Sequence, residues 1–195
     1  MKRIHIYLSF TLLCSLMIYS CTKSADCKGD EKPAATTMTN DEMVKRGAYL
    51  VATSGCNDCH TPKKMTEQGP VPDMSRMLSG HPADMPLAPY DKTLIGPWIY
   101  FSSDLTAAVG PWGTSFSANL TPSESGIGNW TEEQFMNALT KGQFMGMENT
   151  RPIMPPMPWQ EIKNMTTDDL KSIFAYLKTI PAVDNVVPAY IPPAQ

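Results

Sequence analysis

The sequence predicts an all-α domain in which three main helices are joined by long Pro- and Gly-rich loops. Three observations predict it. Helix-start signatures followed by apolar residues at helical spacing occur near residues 39, 131 and 166. Between His60 and Trp130 there is little periodicity and much Pro and Gly, and a structureless stretch of that length does not pack an ordinary core by itself. Immediately before that stretch, residues 56–60 read Cys-Asn-Asp-Cys-His.

Taken from the N-terminus, residues 1–20 read as an export leader. Lys2 and Arg3 are basic, and Ile4 to Tyr19 is mostly apolar and carries no acidic or basic side chain apart from His5. The run is shorter than the ~20 residues of a membrane span. It ends in Ile18-Tyr19-Ser20-Cys21, which resembles a bacterial lipobox and makes Cys21 the expected lipidated N-terminus. Tyr19 departs from the commonest pattern, so ordinary leader cleavage or an uncleaved anchor are the alternatives. Cys14, preceded by Leu13, is a poorer lipidation site. Residues 21–40 are polar and small, unable to bury a core, and read as a flexible tether that includes Cys27. The domain is expected over residues 41–195.

The first helix is expected to start at Thr39 or Asn40. Thr39-Asn40-Asp41-Glu42 is a capping box, and Met43, Gly47, Leu50 and Val51 then share one face up to Ser54-Gly55. Thr131-Glu132-Glu133-Gln134 is a second capping box; Phe135, Ala138 and Leu139 form its apolar stripe and Gly142 ends it. The third helix starts near Thr166 or Thr167, carries Leu170, Ile173, Phe174 and Leu177 at i, i+3, i+4 and i+7, and stops before Pro181. The sequons at Asn129 and Asn164 read as by-products of these capping threonines.

Cys56-Asn57-Asp58-Cys59-His60 is the C-x-x-C-H signature for covalent haem attachment. Cys56 and Cys59 lie about one helical turn apart, so both sulfurs face one edge of the macrocycle, and the adjacent His60 is the expected proximal ligand. A redox dithiol would want a thioredoxin-like βαβ context, which the pattern lacks. Half of a zinc site would want a second Cys/His pair at ligand spacing, and Cys14, Cys21, Cys27, His5 and His81 supply none. A haem also explains the aperiodic stretch, since a large apolar cofactor can act as the core for loops around it. Gly96-Pro97-Trp98 and Gly110-Pro111-Trp112 either place indoles against it or form rigid surface turns with the Trp in small clusters.

A sixth ligand must come from elsewhere. His81 would give a bis-His haem, but it lies in the turn-like Ser79-Gly80-His81-Pro82. The chain has 14 methionines, so a lone Met means little. Arg151-Pro152-Ile153-Met154-Pro155-Pro156-Met157-Pro158-Trp159 is different, because its prolines fix φ and remove N–H donors, making a stiff extended loop. Such a loop can hold a thioether over iron at low entropic cost. Met157 is the preferred ligand, with Met154 its rival and a plain Pro-rich surface loop the alternative.

In this order, the motif, the Met-Pro loop and the terminal helices resemble class I c-type cytochromes. More narrowly, the chain is similar to bacterial cytochromes carrying Asn119-Leu120-Thr121-Pro122, Gly126-Ile127-Gly128-Asn129-Trp130-Thr131-Glu132-Glu133-Gln134-Phe135 and Pro155-Pro156-Met157-Pro158-Trp159, over about residues 43–190. The resemblance implies a cytochrome c fold around one haem c, with Cys56 and Cys59 as thioether residues, His60 proximal and Met157 distal. It implies that Gly47 packs against Tyr176 where the first and last helices cross. It also implies that the Gly69-Pro70 pair offers the Pro70 carbonyl to the proximal imidazole, although the spacing from His60 departs from that of the commonest small cytochromes.

The formal net charge is −3, and loss of Lys2 and Arg3 with the leader makes the remainder more acidic, which excludes a basic nucleic-acid-binding face. The expected function is single-electron transfer through a His/Met-ligated haem between periplasmic or membrane redox proteins, without catalysis of its own. The expected location is a lipid-anchored one, facing the periplasm or cell exterior. The alternatives are a haem subunit of a dehydrogenase or oxidase complex, or a haem enzyme or sensor whose sixth site is open or whose Met is displaced.

Overall fold

A computed structural model describes residues 38–91, 93 and 95–193. The expected leader, Cys14, the lipidation of Cys21, Cys27 and most of the tether lie outside the described residues. Helix α1 spans Asn40–Thr53 and begins in the full capping box: Thr39 Oγ1 accepts from the Glu42 N–H at 3.3 Å, and a Glu42 carboxylate oxygen accepts from the Thr39 N–H at 2.8 Å. Its buried face is Gly47, Leu50 and Val51. After Ser54-Gly55 the chain turns into the single-turn helix α2, Cys56–His60, with Gly55 in the left-handed region at φ 75°.

Two small antiparallel sheets follow, in the stretch where the sequence shows little periodicity. Strands β1 (Lys63–Thr66) and β2 (Gly69–Pro72) form a hairpin with Lys63 opposite Pro72. Strands β3 (Tyr100–Phe101), β4 (Ala107–Gly110) and β5 (Gly113–Phe116) make a second sheet with β4 in the middle. The physical reason they are silent in the sequence is length and burial. Ala107-Ala108-Val109-Gly110 is buried at every position, so it carries no alternation, and β3 is two residues long. Gly110-Pro111-Trp112 forms the β4–β5 turn with its indole folded over Gly110, whereas Trp98 is 64% exposed.

Helix α3, Glu132–Lys141, has the second capping box, with Thr131 Oγ1 accepting from the Gln134 N–H at 3.1 Å and Gln134 Oε1 accepting from the Thr131 N–H at 2.9 Å. Helix α4 is the short Trp159–Ile162 turn, and α5 spans Thr167–Leu177. Leu50 and Val51 of α1, Phe135 and Leu139 of α3, and Leu170, Ile173 and Leu177 of α5 form one core with Leu78, Ile127 and Ile180. Phe135 and Phe174 rings pack at 5.1 Å between centroids. Gly47 lies at the α1–α5 crossing. A Cβ there would fall 1.9 Å from the Ser172 carbonyl oxygen and 2.7 Å from Tyr176 Cβ, so the close approach of the two helices requires a residue without one. No helix among the described residues is long and apolar enough to cross a membrane.

The loops are held by buried side chains bonding to distant backbone. Asn119 Nδ2 donates to the Val183 carbonyl at 2.9 Å, while Asn119 Oδ1 accepts from the Thr121 N–H and hydroxyl at 2.9 and 2.7 Å. Asn185 Nδ2 donates to the Ser79 and His81 carbonyls at 2.7 and 2.9 Å. Thr114 and Ile191 exchange backbone bonds at 2.7 and 3.0 Å, laying the C-terminal segment along β5. These bonds take the place of secondary structure in satisfying buried polar groups.

Asp73, 4% exposed, ends the β1–β2 hairpin. It accepts from Ser75 Oγ at 2.6 Å, Lys64 Nζ at 3.0 Å and Arg76 Nε at 3.3 Å, and hydrogen bonds from Ser75 first and Lys64 next hold its carboxyl down to about 2. Its ionised form therefore adds stability that is complete above the ordinary carboxylate value of 3.8 and is lost as the pH falls through about 2. Asp73→Asn is expected to be less stable than the parent at neutral pH and to show a flatter stability profile through that window, measured by denaturant unfolding across pH. Gly47→Ala is expected to lower the unfolding midpoint by the equivalent of about 1–3 kcal/mol, although alanine is the better helix former by about 1 kcal/mol. Guanidinium unfolding followed by circular dichroism checks it, and an unchanged midpoint would contradict the close α1–α5 crossing.

Candidate functional site

Helix α2 is too short to be stable alone and is fixed by ties on both sides. Asn57 Oδ1 accepts from the Thr61 hydroxyl at 2.9 Å, and Thr61 Oγ1 accepts from the Leu78 N–H at 2.9 Å. The His60 carbonyl accepts from the Gly80 N–H at 2.8 Å. Lys63 Nζ donates to the Asp104 carbonyl at 2.7 Å, which ties β1 to the turn before β4. Cys56 and Cys59 stand three residues apart on this turn and are not joined to each other. Cys56 packs against the core cluster, and its burial pushes the thiol up to about 11; burial raises Cys59 too. A reactive dithiol needs its thiolate stabilised, so these thiols suit that role poorly.

His60 is 8% exposed. Its Nδ1 lies 2.8 Å from the Ala118 carbonyl oxygen, which can only accept, so Nδ1 carries the proton and Nε2 keeps its lone pair. Burial pushes the imidazole down and keeps it neutral, the state a metal ligand needs. The carbonyl expected from Pro70 is therefore supplied by Ala118 instead. Pro70 sits in β2 opposite Met65, exposed, where the hairpin carries it into solvent. Ala118 is reached because Gly80 crosses beneath it: a Cβ on Gly80 would fall 2.7 Å from the Ala118 oxygen and 2.4 Å from that of Ser117. A backbone acceptor has no residue type attached to it, so no sequence signal marks Ala118.

His81 is fully buried and belongs to a different arrangement. Its Nδ1 lies 2.7 Å from Thr106 Oγ1, its Nε2 3.3 Å from the Met85 carbonyl oxygen, and Thr106 donates to Asp104 Oδ2 at 2.7 Å. Both ring nitrogens are committed to the loops, which removes His81 as an axial ligand in this structure. Sequence reasoning missed this His81–Thr106–Asp104 chain, and the only signal was a buried-type mixture of Asp and Thr two residues apart.

Met157 is half-buried against the same core cluster as Cys56, Leu120 and Trp130. Met154 lies one turn earlier, its carbonyl accepting from the Met157 N–H at 3.4 Å. The loop carrying them is tied at its ends: the Ile153 N–H donates to the Gly142 carbonyl at 2.8 Å, and the Trp159 N–H to that of Met157 at 2.9 Å. The donor set fits a haem. It comprises two thiols on one helical face, an imidazole with Nε2 bare and Nδ1 anchored, and a thioether on the shared apolar cluster. Among the described residues no three His, Cys, Asp or Glu side chains converge as a zinc site would require.

No family model matches the chain. It is 30% identical over 145 residues, 73% of its length, to the cytochrome c subunit of alcohol dehydrogenase (quinone) from Gluconobacter oxydans. It is 26% identical over 88% of its length to the fructose dehydrogenase cytochrome subunit of Gluconobacter japonicus, and 27% over 73% to the gluconate 2-dehydrogenase cytochrome c subunit of Pantoea cypripedii. These matches cover 23%, 28% and 24% of the respective relatives, so the chain spans about a quarter of the length of the curated proteins it matches. The chain is homologous to cytochrome c subunits of dehydrogenases, and that homology, together with the Cys56–His60 site, supports a c-type cytochrome.

Proposed function

We propose that this chain is a monohaem cytochrome c subunit that receives single electrons from a dehydrogenase partner and passes them to a further redox protein. The single observation that carries the reading is the His60 tautomer: Nδ1–H bonded to Ala118 leaves a neutral, buried Nε2 beside two cysteines spaced for one macrocycle edge. The relatives favour a subunit over a free-standing shuttle, since each is named as a subunit of a dehydrogenase. Their names differ in substrate while sharing the cytochrome, which supports reading substrate oxidation as the partner's task and electron transfer as that of this chain. The supporting scaffold is a cytochrome c fold whose wrapping loops carry the two small sheets.

A covalently held haem supplies a one-electron iron couple at this site. Cys56 and Cys59 would hold its edge through thioethers, and His60 would bind iron through Nε2, with the Ala118 carbonyl fixing the ring and raising ligand basicity. Met157 would supply a second iron ligand from the Pro-rich loop, which would raise the potential and leave no open position for substrate. Leu120, Trp130 and Ile127 share the apolar cluster with Cys56 and Met157 and would keep water from that side of the site. Export and a lipid on Cys21 would tether the domain to a bacterial membrane, on its periplasmic or outer side.

The paired Cys56→Ser and Cys59→Ser variant is expected to lose essentially all haem that survives denaturing electrophoresis. Haem retained there would overturn covalent attachment at these residues. The oxidised parent is expected to show the weak long-wavelength Met-to-iron absorption, and Met157→Ala to abolish it and lower the reduction potential. Rapid carbon monoxide binding by the reduced parent would overturn the closed, six-coordinate reading.

A further inference from the structure

We infer that Ser115, in the β4–β5 hairpin, is the positioning residue that locks the Met157 loop. The inference rests on the proposed role of Met157 as the distal ligand. The loop ends are tied to α3 and α4 through Ile153 and Trp159, but its middle consists of Pro155, Pro156 and Pro158, which have no N–H to anchor it. The Met157 N–H in that stretch reaches only the Met154 carbonyl at 3.4 Å, inside the same loop, so a tie to another element falls to the carbonyls. Ser115 Oγ donates to the Pro155 carbonyl at 2.5 Å, two residues before Met157 and forty residues along the chain from the serine.

The serine is built for the task. It is 8% exposed, and its oxygen accepts from Trp112 Nε1 at 3.3 Å, which turns the hydroxyl proton towards Pro155. The alternative acceptor, the Ala108 carbonyl across the ladder, is 3.4 Å away and much the weaker. The hairpin is itself braced from behind by the Thr114–Ile191 backbone pair and by the Tyr190 hydroxyl on the Trp112 carbonyl. A braced donor therefore meets a loop centre whose backbone bonds, Met157 N–H to Met154 and Trp159 N–H to Met157, stay within the loop and the start of α4. Losing that bond frees the loop and weakens Met157 in competition with any outside ligand, while leaving Cys56, Cys59 and His60 untouched.

Imidazole titration of the oxidised full-length holoprotein tests this, because imidazole must displace Met157. Ser115→Ala is expected to bind imidazole roughly 5-fold more tightly than the parent, equivalent to about 1 kcal/mol, with a weaker Met-to-iron band and unchanged covalent haem. Ser115→Thr, which keeps the hydroxyl, is expected to stay near the parent. Trp112→Phe removes the donor that orients the serine, together with part of the ring packed over Gly110, and is expected to shift affinity in the same direction by less; it serves as the measurement if Ser115→Ala fails to fold. Parent-like imidazole affinity and band in Ser115→Ala, or in Trp112→Phe where that variant stands in, would overturn the inference. If Met157→Ala abolishes the band while the Ser115 variant matches the parent, the positioning role alone fails; if Met157→Ala keeps the band, the distal-ligand reading fails first.

Discussion

The bond from His60 Nδ1 to the Ala118 carbonyl is the constraint around which the rest of the molecule is arranged. It spans fifty-eight residues and joins the end of a one-turn helix to the exit of a β-hairpin. To bring Ala118 there, Gly80 must pass beneath it, Leu78 must anchor on Thr61, and Ser117 must accept from the His81 N–H. Each of these ties is a backbone group satisfied far from its neighbours in sequence. Undoing one exposes a buried polar group, which is costlier than the net value of any single hydrogen bond.

Two kinds of stabilisation meet at this bond. The α1–α5 crossing and α3 supply apolar burial in the ordinary way, through Leu50, Val51, Phe135, Leu170 and Leu177. The loop side contributes few large apolar residues and relies on Asn119, Thr121, Asn185 and Ser115 to hold backbone in place. Cys56, Leu120 and Met157 lie on the seam, packed on the helical core while belonging to segments outside the three long helices. The long helices thus set the apolar wall beside Cys56 and Met157, and hydrogen bonds hold the loop segments that face it.

The helices and the attachment motif were legible in the sequence because they rest on local chemistry. Thr39 with Glu42 and Thr131 with Gln134 announce helix starts within four residues, and Gly47 follows from the resemblance to a known crossing. Ala118 was not legible, since any residue has a carbonyl, and the expectation at Pro70 rested on a spacing the β1–β2 hairpin changes. The buried strand Ala107–Gly110 has no alternation to read, and His81 looks in sequence like a free ligand because Thr106 and Met85 become its partners only in three dimensions. What was missed shares one property: its partners are tens of residues away or are backbone atoms.

The bonds from Asn185 to Ser79 and His81, and the pairing of Ile191 with Thr114, also set an order of events in folding. They close segments of more than seventy residues, as the α1–α5 crossing of Gly47 with Ser172 also does, and all such non-local contacts carry a loop-closure cost. The Ser79 and His81 carbonyls, in the loop whose Gly80 bonds to His60, cannot take their bonds from Asn185 until that residue has been made. During synthesis from the N-terminus, Cys56 and Cys59 thus pass through an interval in which α1 can form but the wall containing Ala118 and Ser115 is still open. Chemistry at those sulfurs has its readiest access in that interval, before the late segment shuts the site.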